Sequence, residues 1–355
     1  MDLIAHARPR PSGYIPSLDG IRAASIVLVL LSHTACGYVP GGLGVTVFFF
    51  LSGYLITTLM RMEREAEGRT SIWNFYLRRT LRIFPPLYVT LFITLFVSWL
   101  GLLDEMPTVP GFLAQAFYYT NYWIIFVQNP TGLIPSLRTF WSVAVEEHFY
   151  LVFPLLFVVA GRLRLRPAQQ ALLLLALWLL VNVWRYALVF WWHVSVNRVQ
   201  CATDTRIDTM LMGCVLAVIE NPFLDRSMLK DETWKRLFWV GLTVILITAV
   251  LPGVAYRETL RYSLQTVALV PIFIAAVRFP TWSVCRWLNN SWVRTVGRIS
   301  YSLYLVHQPA INFFHHMPVN PILQNVLGLA AAFVLSAAMY VAVEKPCASL
   351  RKRFL

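Results

Sequence analysis

Leu18-Asp19-Gly20-Ile21-Arg22-Ala23-Ala24-Ser25-Ile26-Val27-Leu28-Val29-Leu30-Leu31-Ser32-His33-Thr34 decides the fold class of this chain. It reads as one apolar helix with an arginine near one end and a histidine eleven positions later. In a helix that separation is three turns, or about 16 Å along the axis. The run is too long for the core of a signal peptide, and no small-residue cleavage site follows it, so it reads as a retained membrane span. Ionisable residues inside such a run are costly in lipid and point to function.

Composition extends this reading to the whole chain. Of 355 residues, 58% are hydrophobic and only 13% charged, with a mean hydropathy of +0.61. A soluble domain carries about 25% charge, so lipid must cover much of this surface. Nine further apolar runs follow the first. The ten spans are predicted at 18–37, 43–60, 83–102, 144–161, 171–190, 207–220, 237–252, 262–278, 298–314 and 323–343. The sixth is short for a span. The aromatic segment 112–127 reads as re-entrant or interfacial. The expected fold is an all-α integral membrane bundle of about ten transmembrane helices, one domain over residues 1–355.

The net charge of +13 is that of a nucleic-acid binder, but the basic residues sit between apolar runs, where cytoplasmic loops collect them. With both termini placed in the cytoplasm, 24 of the 30 basic residues fall on that side. No nucleic-acid partner is expected. The five cysteines show no metal spacing and read as small buried hydrophobes, with no metal site.

Chemistry-bearing residues stand out against the apolar background. Arg22 reads as either a snorkelling arginine or a functional one. His33 is either a buried histidine satisfied by a carbonyl or an acid–base group. Ser52 and Gly53 read as a helix-packing notch. Arg78, Arg79 and Arg82 share one side of a helix expected at the cytoplasmic surface. Guanidinium forks suit phosphate, so these three either supply ordinary positive-inside charge or hold the phosphates of a nucleotide-bearing acyl donor. In Trp141-Ser142-Val143-Ala144-Val145-Glu146-Glu147-His148-Phe149-Tyr150 the adjacent acids point about 100° apart. Glu146 is assigned to water and Glu147 to the interior. Arg185 sits deep in an apolar run and needs an acidic partner, Asp208 or Glu147. Arg206 and Asp208 either cap the sixth span or line an acceptor cleft. Tyr301, Tyr304 and Gln308 form a stripe beside His307. The alternating topology places His33, Glu147 and His307 in the outer half of the membrane. A histidine with a carboxylate can remove a proton from a hydroxyl at neutral pH. A transporter using the same buried charges is the alternative, although no inverted repeats or paired broken helices are evident.

At these residues the chain resembles the integral-membrane acyltransferases of acyltransferase family 3, over about 16–351. Arg22 and His33 look like the family's Arg-x10-His motif, and 48–54 like its Phe-Phe-x-x-Ser-Gly element. Arg79 and Arg82 look like its Arg-x-x-Arg motif. Trp141 to Tyr150 is similar to its Trp-Ser-x-x-x-Glu segment, with His148 where glutamine is expected. Tyr301 to His307 looks like its Tyr-x-x-Tyr-x-x-His stretch, and Glu344-Lys345-Pro346 like its closing triplet. The resemblance implies a ten-helix membrane O-acyltransferase in a bacterial inner membrane, a fold sometimes followed by a C-terminal periplasmic esterase-like domain that is not expected here. It implies acyl-CoA, commonly acetyl-CoA, as a donor substrate rather than a resident cofactor. It also implies a hydroxyl of a cell-surface glycan or glycolipid, lipopolysaccharide O-antigen or exopolysaccharide, as acceptor. The expected catalytic residues are His33, Glu147 and His307. The expected donor-binding residues are Arg22, Arg78, Arg79 and Arg82, and the expected acceptor-side residues are Trp141, Tyr150, Arg206, Asp208 and Tyr304.

Overall fold

A computed structural model describes residues 14–34, 39–103, 105–127 and 131–351. The polar N-terminus with Arg8 and Arg10, as well as Cys36, Lys352 and Arg353, lie outside the described residues.

The described chain is helical, with no strand among the described residues. Its helices, in order, are α1 (Pro16–Ser32), α2 (Gly41–Glu67), α3 (Ile72–Trp99), α4 (Val109–Ala116), α5 (Thr120–Phe126) and α6 (Phe140–Arg162). Then come α7 (Pro167–Phe190), α8 (Val196–Cys201), α9 (Thr203–Ile219), α10 (Asp231–Val250), α11 (Val254–Glu258) and α12 (Leu260–Arg278). The last are α13 (Ser283–Arg286), α14 (Ser291–Arg298), α15 (Ser300–His315), α16 (Pro321–Met339) and α17 (Lys345–Arg351), the final two joined by a π-helical turn at Tyr340–Glu344.

Seven of these helical segments are long and apolar enough to cross a membrane: α2, α3, α6, α7, α10, α12 and the stretch from α16 through α17. The other three predicted spans form helices of 17, 17 and 16 residues, namely α1, α9 and α15. Each apolar run found its helix, but several ends moved. Segment 83–102 belongs to a 28-residue helix that starts at Ile72. Arg78, Arg79 and Arg82 are therefore part of that long helix. Pro85 and Pro86 sit inside it. Segment 112–127 forms two short helices, α4 and α5.

The outer surface is apolar as well as the core. Large apolar side chains face outward on α3 (Phe92, Phe96), α6 (Leu151, Leu155) and α7 (Leu172, Leu180). Polar side chains, among them Arg185, Arg206, Asp208 and His307, are almost fully buried. Water would penalise that outer surface and lipid does not, so a multi-pass membrane protein follows.

Helices α2 and α9 cross at close range. A Cβ on Gly53 would lie 2.0 Å from the Met210 carbonyl oxygen, and one on Gly213 would lie 2.2 Å from that of Phe50. Both positions need glycine for the backbones to approach this closely. Behind this crossing, Arg185 of α7 forms a buried ion pair with Asp208 of α9 at 2.9 Å. Its Nη1 and Nη2 groups also reach the Thr205 carbonyl at 2.7 Å, the Asn182 side-chain oxygen at 2.7 Å and the Ser263 hydroxyl at 3.1 Å. Asp208 is the partner that the buried charge required.

Candidate active site

One face each of α1, α2, α3, α6 and the first turns of α15 line a partly open cavity of about 80 Å³. Arg22, Arg79 and Arg82 line it together with Glu146, Tyr150, Ser52, Ser142, Ser300, Tyr301 and Tyr304. On α6 the lining residues Ser142, Glu146 and Tyr150 recur every four positions, which keeps them on one stripe.

The basic end is held in place by its neighbours. Arg22 donates to Asp19 at 3.2 Å. Asp19 also accepts from the Tyr14 hydroxyl at 2.8 Å, and Arg298 lies 3.7 Å away. The Arg79 guanidinium lies over the rings of Tyr150 (4.6 Å) and Phe75 (5.7 Å), an arrangement that fixes the plane of its fork. Arg78 turns away from the cavity and pairs with Glu63 at 2.6 Å. On a helix, adjacent residues point 100° apart, so a neighbour of Arg79 cannot share its direction. Arg79 and Arg82, three apart, can.

Glu146, expected at the water, turns into the cavity instead, while Glu147 stays partly buried as expected. Glu146 faces the cavity, accepting from the Ser52 hydroxyl at 3.1 Å and the Tyr150 hydroxyl at 3.2 Å. Glu147 does not line the cavity, and its Oε1 is buried without a hydrogen-bond partner. The expected contact between Glu147 and His33 does not form.

His33 meets another histidine instead. It follows the last residue of α1 as the C-cap rather than sitting inside the helix. Its Nδ1 lies 3.1 Å from Nε2 of His307. The two rings are 5.1 Å apart between centroids. His307 is fully buried, and its Nδ1 lies 2.7 Å from the Tyr304 carbonyl oxygen. His33 is exposed. The Tyr304 ring lines the cavity and stands 5.6 Å from the His307 ring. The Tyr304 hydroxyl bonds to Ser142 Oγ at 2.6 Å and donates to the Thr139 carbonyl at 3.1 Å. The basic cavity thus ends at Tyr304, and the histidine pair begins one helical turn beyond.

The other expected residues lie elsewhere. Asp208 is consumed by Arg185. Arg206 is buried against Tyr262, 3.8 Å from the ring centroid, and donates to Thr46 at 3.2 Å. Neither lines the cavity. Trp141 packs edge-on to Phe49 at 6.3 Å, outside the cavity. His148 bonds to Thr203 at 2.7 Å and stacks on Tyr122 at 5.8 Å, also outside it. Ser302 donates to Glu344, tying the closing Glu-Lys-Pro segment to α15. Cys201, Cys214 and Cys285 are buried free thiols.

The family model for the acyltransferase domain, family 3, matches residues 15–341. The chain is similar to the peptidoglycan O-acetyltransferase OatA of Listeria monocytogenes, 30% identical over 349 residues, which cover 94% of this chain and 56% of that protein. It is 28% identical to the O-acetyltransferase OatA of Staphylococcus aureus strain NCTC 8325, over 94% of this chain and 57% of that protein. It is 30% identical to the putative peptidoglycan O-acetyltransferase YrhL of Bacillus subtilis, over 94% and 55% respectively. The chain spans about half the length of these relatives. No solved structure matches it.

Proposed function

The chain belongs to the acyltransferase family 3, and from that premise we propose that it is a membrane O-acyltransferase. It takes an acyl group, acetyl in the simplest case, from acyl-CoA and transfers it to a hydroxyl of a cell-envelope glycan. The observation that carries this reading is the cavity holding Arg22, Arg79 and Arg82 and abutting the His33–His307 pair. Arg22 is paired with Asp19, and Arg79 and Arg82 line the cavity with the single carboxylate of Glu146, so positive charge is in excess in a low-dielectric site. An acyl donor bearing several phosphates matches that surplus.

In this reading α1, α9 and α15 complete a ten-span bundle with cytoplasmic termini, in a bacterial plasma membrane. Arg79 and Arg82, with Arg22, hold donor phosphates. Glu146 holds the Tyr150 hydroxyl and so keeps the ring beneath Arg79 in place. His33 removes the proton of the acceptor hydroxyl. The names of the relatives favour peptidoglycan as the acceptor over the O-antigen or exopolysaccharide that the resemblance alone implied.

Acyl transfer from radiolabelled acetyl-CoA in membranes expressing the wild type beside His33→Ala tests this. The expected result is label in a glycan fraction from the wild type only. Digesting that fraction with a muramidase, which releases peptidoglycan fragments and leaves other glycans intact, identifies the acceptor class. Equal transfer by His33→Ala would end the assigned role of His33.

A further inference from the structure

The two histidines are neutral-ring partners whose protons can be placed from their neighbours. A backbone carbonyl only accepts, so the 2.7 Å contact between the Tyr304 carbonyl and His307 puts a proton on His307 Nδ1. His307 is fully buried and forms no ion pair among the described residues. A second proton on its ring would be an unpaired charge in a membrane interior, which is expensive. Its Nε2 therefore carries a lone pair. The atom facing that lone pair at 3.1 Å is His33 Nδ1, which must be the donor. The one nitrogen of His33 without a proton is then Nε2, on the opposite side of the ring from His307.

We infer that His307 is a positioning residue: it fixes His33 in the Nδ1–H tautomer and leaves Nε2 of His33 as the basic atom. The inference rests on the reading of His33 as the base of the transfer reaction. A carboxylate usually holds a catalytic imidazole in this way; here a carbonyl acts through a second imidazole. Neither group in that chain is negative, and His33 forms no ion pair among the described residues, so among them the ion formed when His33 gains a proton has no fixed counter-charge beside it. In the transfer step the acceptor hydroxyl gives its proton to His33 Nε2 as its oxygen bonds to the acyl carbon of the thioester. The carbon–sulfur bond breaks, and the leaving thiolate takes the proton back from His33. The products are an O-acyl ester and a free thiol, and the histidine returns to its starting tautomer. Without a counter-charge the imidazolium is short-lived, which favours proton return to the thiolate over its escape to bulk solvent.

The tautomer can be read directly by ¹⁵N NMR of histidine-labelled protein in lipid bilayers. The His33 resonances are assigned by comparison with a His33→Asn variant, which removes one of seven histidines. The expected spectrum shows His33 protonated at Nδ1 and bare at Nε2. A wild-type His33 protonated at Nε2 would overturn the inference. Kinetics supply the second readout. His307→Gln offers an amide N–H to the Tyr304 carbonyl and an oxygen to His33 Nδ1, whereas His307→Leu offers neither. Loss of a group that orients a functional histidine costs about 10- to 100-fold. His307→Leu is expected to lose that much in kcat with an unchanged KM for the acyl donor, and His307→Gln to recover most of it. Equal losses in the two variants would also overturn it. If the wild type transfers no acyl group from any acyl-CoA, the proposed function fails, and the wild-type spectrum alone decides the tautomer.

Discussion

Arg78, Arg79 and Arg82 are nearly indistinguishable in the sequence, yet the structure gives them different work. Arg79 and Arg82 line the basic cavity, whereas Arg78 pairs with Glu63 at 2.6 Å. On the proposed function, replacing Arg79 or Arg82 by Gln removes charge-assisted hydrogen bonds to donor phosphate. Each such bond is worth about 1.5–3 kcal/mol. At about 1.4 kcal/mol per factor of ten, the KM for the acyl donor should rise about 10- to 150-fold, with a smaller change in kcat. Arg79→Lys keeps the charge but loses the planar stack on Tyr150, so its KM should fall between the wild type and Arg79→Gln. Arg78→Gln should leave KM within about twofold. Its effect appears in stability instead, because Glu63 also accepts from the Ser71 backbone N–H at 2.8 Å at the start of α3. Losing the arginine from that corner should lower stability by about 1 kcal/mol. The assay is initial rate against acetyl-CoA concentration in proteoliposomes, with a thermal melt of each variant alongside. A rise in KM for Arg78→Gln equal to that for Arg79→Gln would refute the assignment of the cavity. So would an unchanged KM for both cavity variants.

Two more outcomes follow from the described contacts. Asp208→Asn leaves the Arg185 charge buried and uncompensated, which should destabilise the bundle by about 3–5 kcal/mol; the pair Arg185→Met with Asp208→Leu should recover much of that in a detergent thermal melt. Glu146→Gln should reduce transfer several-fold by loosening Tyr150, while Glu147→Gln should retain most activity, and the reverse ranking in the same transfer assay would restore the expected role of Glu147.

The fold was largely legible because a membrane makes hydrophobicity almost sufficient. An apolar run of about twenty residues has few options other than a helix, and each predicted span corresponds to one. Helix ends were less legible, because Ile72 to Arg82 is polar enough to read as a loop and yet continues the helix of α3. At the site, His33, His307, Arg22, Arg79, Arg82, Tyr150 and Tyr304 were visible as polar or aromatic residues where lipid would not tolerate isolated charge. The choice between Glu146 and Glu147 turned on rotation about the helix. The recurrence of Ser142, Glu146 and Tyr150 every four residues was the signal for it. The contact between His33 and His307 joins residues 274 positions apart, and depth in the membrane could bring them level without making them partners. Arg206 and Asp208 show the opposite effect: both are buried polar residues outside the cavity, Asp208 paired with Arg185 and Arg206 packed on Tyr262 with one hydrogen bond to Thr46.

The helices carrying Arg22, Tyr304 and His307 are among the shortest of the bundle. At 17 and 16 residues, α1 and α15 extend about 24–26 Å, against a hydrocarbon thickness of about 30 Å. In the ten-span reading the bilayer must pinch inward where these helices meet it. The distance that an acyl group has to be carried between the two aqueous phases is shortened at that place. A thicker membrane would stretch the pinch, so activity in vesicles should decline as the acyl chains of the lipids are lengthened.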